Sequence, residues 1–192
     1  MRRAGPGLLL SLLLVACSAP TKEDEVTLQV LVNAHAARDA VSHLTMRYGE
    51  IHDRAVGEAG STAGGPEEFA EFKGSAEGLA VKGFLSEYLR PISTEPSFKR
   101  SGEIGDLSAA TVELVSLALE PRGTWEAFGQ EMSAARSRLD KALTALETGA
   151  KSHILIQSRT KTEEKAMAFS RMLAQASAGV TAPGKDEAAK TP

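Results

Sequence analysis

His35, Asp39, His43 and Arg47 recur every four residues and are the side chains best spaced for chemistry. On a helix that spacing puts neighbours on one face. Two imidazoles flanking a carboxylate hold a divalent metal when a second helix adds ligands. Rotation works against this, because each step of four advances about 40° around a helix of 3.6 residues per turn and His35 diverges from His43. The stripe therefore reads as a solvated face with ion pairs four residues apart. His35, Asp39 and His43 remain metal candidates only in an alternative reading, a ligand- or metal-binding bundle.

Other spacings fall short of a reaction. Gly179 to Gly184, Lys185 and Asp186 resemble a phosphate loop, but Asp186 stands where a hydroxyl must bind Mg²⁺ and no strand precedes it. Ser158-Arg159-Thr160-Lys161 has the spacing that lets a lysine activate a serine, without the companion motifs. Met46 and His153 are a haem-ligand pair in type alone. Glu67, Glu68 and Glu71, and then Glu163 and Glu164, stand in or near first turns of expected helices, where the dipole favours negative charge. With no nucleophile, base and donors converging, the chain reads as non-catalytic and without a cofactor.

The elements that would carry these residues are helices. Val30, Ala34, Ala37, Val41, Leu44, Tyr48, Ile51 and Ala55 alternate steps of three and four, a heptad-like seam over residues 26–56. Glycine-rich residues 57–65 end it, and Pro66 opens a second helix on Phe69, Phe72, Ala76 and Leu79. Gly74, Gly78 and Gly83 each cost that helix about 1 kcal/mol against alanine, so a close approach by another helix is expected. Pro91 closes it and residues 91–105 read as a long loop. Phe98, Lys99 and Arg100 in that loop are the candidate partner contact, for lipid headgroups or an acidic partner.

Asp106 caps a third helix over 107–120, apolar on most sides and hence interior. Thr124 caps a fourth, where Trp125, Phe128, Met132, Ala135, Leu139, Ala142 and Leu146 repeat the seam. Gly149 stops it. Residues 150–160 fit a helix or an extended segment equally well. Thr160 with Glu163 has the capping-box pattern of a fifth helix, and residues 178–192 hold nothing to bury. The expectation is an all-α bundle of four or five helices with long heptad-like seams. It spans 26–177, between a disordered tether at 17–25 and a disordered tail.

At the start of the chain Arg2 and Arg3 precede an apolar run over residues 8–16, too short to span a bilayer. Leu14-Val15-Ala16-Cys17 follows, with the single cysteine directly after a small residue. This stretch resembles the type II signal peptide of bacterial lipoproteins, over the first 17 residues only. The resemblance implies that residues 1–16 are removed and that Cys17 takes a diacylglyceryl group on its thiol and an acyl chain on its new amine. Two or three chains hold a protein to a bilayer where one is marginal. Ser18 replaces the aspartate that marks inner-membrane retention in enteric bacteria, so in a Gram-negative host the resemblance implies the outer membrane.

The remaining 176 residues are enough for one domain with a sizeable core. Arg2 and Arg3 leave with the signal, so 20 basic side chains face 25 acidic ones, a net of −5. No basic stripe with interleaved aromatics appears, which argues against nucleic acid. With Cys17 committed to lipid there is no disulfide, and packing alone must stabilise the domain. The function expected is that of a lipid-anchored envelope protein engaging a protein partner.

Overall fold

A computed structural model describes residues 20–59, 69–99 and 102–179. Six helices carry them: α1 (Lys22–Ala59), α2 (Ala70–Gly74), α3 (Ala76–Thr94), α4 (Glu103–Leu119), α5 (Trp125–Gly149) and α6 (Ser152–Gly179). No strand occurs among the described residues. The fold is an all-α bundle.

The seam of α1 is its inner face. Val30, Ala34, Ala37, Val41, Leu44 and Tyr48 are all buried, with Ile51 packed against them. At 38 residues α1 runs about 57 Å, longer than the expected helix. It packs against α3, α4, α5 and α6, so Leu31, Val32, Ala36 and Ala40 are buried as well. Burial on that scale stabilises by about 1.5–3 kcal/mol for each large aliphatic side chain.

Paired contacts fix the helix directions. His35 with Glu147 and Thr45 with Arg136 run α5 opposite to α1. Asp24 with Lys151 and His43 with Phe169 run α6 alongside it. Phe84 on Phe169 and Lys165 over Tyr88 run α3 opposite to α6, and Glu113 with Arg138 sets α4 against α5. The N-termini of α1, α4 and α6 thus share one end of the bundle. Although α5 and α6 are consecutive, they make almost no contact. They splay from the turn at Ala150, leaving a strip of α1 open between them that bears exposed Asp39 and Met46.

Several expectations are corrected. The tether does not extend to residue 25, because Thr21 is a cap. Its hydroxyl accepts from the Asp24 N–H at 3.2 Å, while the Asp24 carboxylate accepts from the Thr21 N–H at 3.0 Å. This reciprocal pair satisfies two donors that a helix start leaves orphaned.

The second helix is two. Ser75 breaks it by capping α3, its hydroxyl accepting from the Gly78 N–H at 3.1 Å. Leu79 consequently leaves the seam and is 56% exposed, and Val81, Phe84, Leu85, Tyr88 and Ile92 form the buried face. The close approach at Gly78 comes from this elbow, not from another helix: a Cβ there would lie 2.1 Å from the Phe72 carbonyl oxygen. Gly74 and Gly83 have open space.

Pro91 does not end α3, which continues to Thr94. Within the expected loop, Pro96–Lys99 form a 3-10 turn and α4 begins at Glu103. Gly102, at φ 96°, stands at the α4 N-cap in place of Asp106. Residues 152–160 are helical within α6, and Thr160 caps nothing. Ile154 and Ser158 are buried, and the preceding helical turn supplies the acceptors a cap would replace. The Thr160 hydroxyl instead donates to the Ile156 carbonyl. Thr124 does cap α5, accepting from the Ala127 N–H at 3.2 Å, and Gly149 ends it.

Candidate functional site

The histidine stripe is separated by the rotation that its spacing dictates. His35 Nε2 meets Glu147 of α5 at 3.0 Å, while His43 Nε2 meets Glu77 of α3 at 2.8 Å. Arg47 joins the second contact, its Nε lying 3.1 Å from Glu77, and also pairs with Glu50. Its guanidinium covers the Phe72 ring at 5.7 Å, and the His43 ring meets Phe169 edge-on. Asp39 stays outside, within 3.9 Å of Arg38, which reaches Asp140 of α5 at 3.6 Å.

The expected pairs four residues apart along α1 are therefore replaced by ties between helices, made by histidine side chains only about a fifth exposed. Among the described residues no group of three or more His, Cys, Asp or Glu could hold a metal ion. His35, Asp39 and His43 do not converge.

The other sequence candidates disperse as well. Phe98, expected as a partner contact, is 1% exposed and belongs to the core. A phenyl ring in a turn between two helices lowers its free energy by filling the space beneath them. Lys99 is exposed, and Arg100 and Cys17 lie outside the described residues, as do Glu67 and Glu68. Ser158 is buried and donates to the Leu155 carbonyl at 2.9 Å, so it is no nucleophile for Lys161. Met46 and His153 sit far apart, because α6 starts level with the first turns of α1.

One concave surface joins an exposed methionine to a half-buried indole and guanidinium. Between α1 and α5 a groove of about 450 Å³ is lined by Met46, Trp125, Phe128, Met132, Thr45 and Arg136. The open strip of α1 leaves Met46 52% exposed at its edge. Trp125 is held by stacking on His52 at 4.9 Å and by Phe69 and Phe128 behind it. Arg136 Nη2 donates to Thr45 Oγ1 at 2.5 Å, and its Nε is buried without a partner among the described residues. An exposed, flexible methionine beside a fixed indole adapts to apolar side chains.

Beneath it Tyr48 donates to the Ala118 carbonyl at 3.2 Å, and burial pushes its phenol up to about 12. That hydroxyl is a fixed structural donor. The groove was not legible beforehand, because Met46 and Arg136 are distant in sequence. Its one signal was a methionine off the α1 seam.

No described helix is long and apolar enough to cross a membrane. No family model matches the chain, and neither a curated protein nor a solved structure is significantly similar to it.

Proposed function

We propose that this chain is a non-catalytic lipoprotein of a bacterial cell envelope, anchored through Cys17 and engaging a protein partner through the groove between α1 and α5. The observation that carries the reading is Leu14-Val15-Ala16-Cys17 behind a short basic and apolar leader. In support, the polar clusters that could act chemically hold helices together, as His35–Glu147 and His43–Glu77 do. The groove, in contrast, offers Trp125, Met46 and Arg136, and tryptophan and arginine are the residue types that dominate interface energies. The partner contact moves there from Phe98, whose ring is buried.

Anchoring is tested by mass spectrometry of the mature N-terminus. Cys17→Ser should abolish the lipid adduct, and an unmodified Cys17 in the native protein rejects the reading. Partner engagement is tested by crosslinking in intact cells. Met46→Glu with Arg136→Glu should lose the captured partner, with helix content by circular dichroism unchanged. Capture that survives both substitutions excludes the groove.

A further inference from the structure

The geometry points to a fixed stance on the membrane, with the bundle standing on the end that carries Thr21 and holding the Met46 groove away from the bilayer. This rests on lipidation of Cys17. Only three residues lie between Cys17 and Thr21, whose capping bonds start α1, so the four-step link reaches at most about 14 Å when fully extended.

α1 is the inner helix. Neighbouring axes lie about 8–10 Å away and each neighbour adds a radius of about 5 Å, so the outer surface lies about 15 Å from the α1 axis. Lying on α3, α4, α5 or α6 would thus stretch the link to its limit. Among the described residues the one open side is the strip between α5 and α6, where Asp53 is exposed and Asp39 and Glu50 stand beside Arg38 and Arg47, so it offers an anionic surface no net attraction.

Standing on the Thr21 end needs no stretching. That end gathers the N-termini of α1, α4 and α6, which meet around a cleft lined by Thr21, Glu103 and Lys151. Exposed Lys22, Lys99 and Lys151 alternate there with Glu23, Glu95 and Glu103, a mixed polar face compatible with headgroups. Met46 lies 25 residues up α1, about 37 Å above Thr21. The groove would then face outward, where a partner can reach it.

The test uses the lipidated full chain in phosphatidylethanolamine–phosphatidylglycerol vesicles with an energy acceptor on the headgroups. Lipid occupies the only native cysteine, so a second cysteine is uniquely labelled. Ser152→Cys, at the start of α6, sits at the membrane end, and Gln130→Cys lies on α5 about 28 Å back from the Gly149 end. Transfer from residue 152 should exceed that from residue 130 several-fold. A ten-residue Gly-Ser insertion between Ala19 and Pro20 should shrink the ratio. Equal transfer from both sites, or stronger transfer from residue 130, overturns the stance. Mass spectrometry of the same preparation separates the failures: unmodified Cys17 rejects the anchoring reading, whereas a lipidated chain with equal transfer rejects the stance alone.

Discussion

At the Thr21 end the bundle is closed by caps and charges: the Thr21–Asp24 box, Lys151 on Asp24 at 2.9 Å, and Gly102 in left-handed conformation. At the other end Tyr48 stacks on Phe69 at 4.4 Å, with Phe72 and Phe128 edge-on and Trp125 beyond. The first set acts over short distances, can be screened, and can be removed one contact at a time. The second acts by excluding water from large rings, and loss of one ring leaves a hole the others cannot close. Stability should therefore sit mostly at the aromatic end, and sensitivity to solution conditions at the capped end.

The most damaging change should lie among the rings. Phe128 is 4% exposed, and Phe128→Ala removes both transfer energy and the filling of that space, about 3–5 kcal/mol. Against a total of about 5–15 kcal/mol the domain would be marginal or unfolded. Chemical denaturation with circular dichroism measures this, and a loss under about 1 kcal/mol would break the contrast between the ends.

Next in size is the elbow at the edge of the same cluster. Alanine ordinarily favours a helix over glycine by about 1 kcal/mol. Gly78→Ala should reverse that sign, because the new Cβ would collide with the Phe72 carbonyl and push α2, with Phe72, off Tyr48. A net loss of about 1–3 kcal/mol is expected, in the range of overpacked sites. Gly83→Ala, with open space, should be neutral or stabilising and serves as the control. If both substitutions stabilise, the elbow is looser than its geometry indicates.

The contrast also explains what the sequence disclosed. The seams of α1 and α5 were legible because apolar residues recur along one side of each over many turns, and period alone reveals that. The Ser75 elbow was not, since Phe69, Phe72, Ala76 and Leu79 keep helical spacing across it, and only the Ser75 cap and the close approach of Gly78 to Phe72 mark the break. Thr160 failed in the opposite way: a valid capping pattern lost to the burial of Ile154 and Ser158 on the turn before it.

Of the candidate site residues, divergence of His35 from His43 followed from 3.6 residues per turn, but their partners Glu147 and Glu77 stand 112 and 34 residues away and carry no local signal. Phe98 misled because a phenylalanine among prolines and charges reads as exposed until two helices close over it.

The smallest effect should come from the capped end, and it should depend on pH. Lys151 beside Asp24, with the bonds to Thr21, holds the Asp24 carboxyl down at about 2 in the folded chain. In the unfolded chain it titrates near the ordinary aspartate value of about 3.9. A depressed folded value means the charged form favours folding, so the contribution is complete above about pH 4 and is lost as pH falls towards about 2. Lys151→Met removes the first of those causes and leaves the Thr21 box in place. Thermal midpoints of the native and substituted chains should differ at pH 6, and the gap should close between about pH 4 and 2. A gap that persists at pH 2 would show that Lys151 acts through packing of its stem, and the capped end would then resemble the aromatic one.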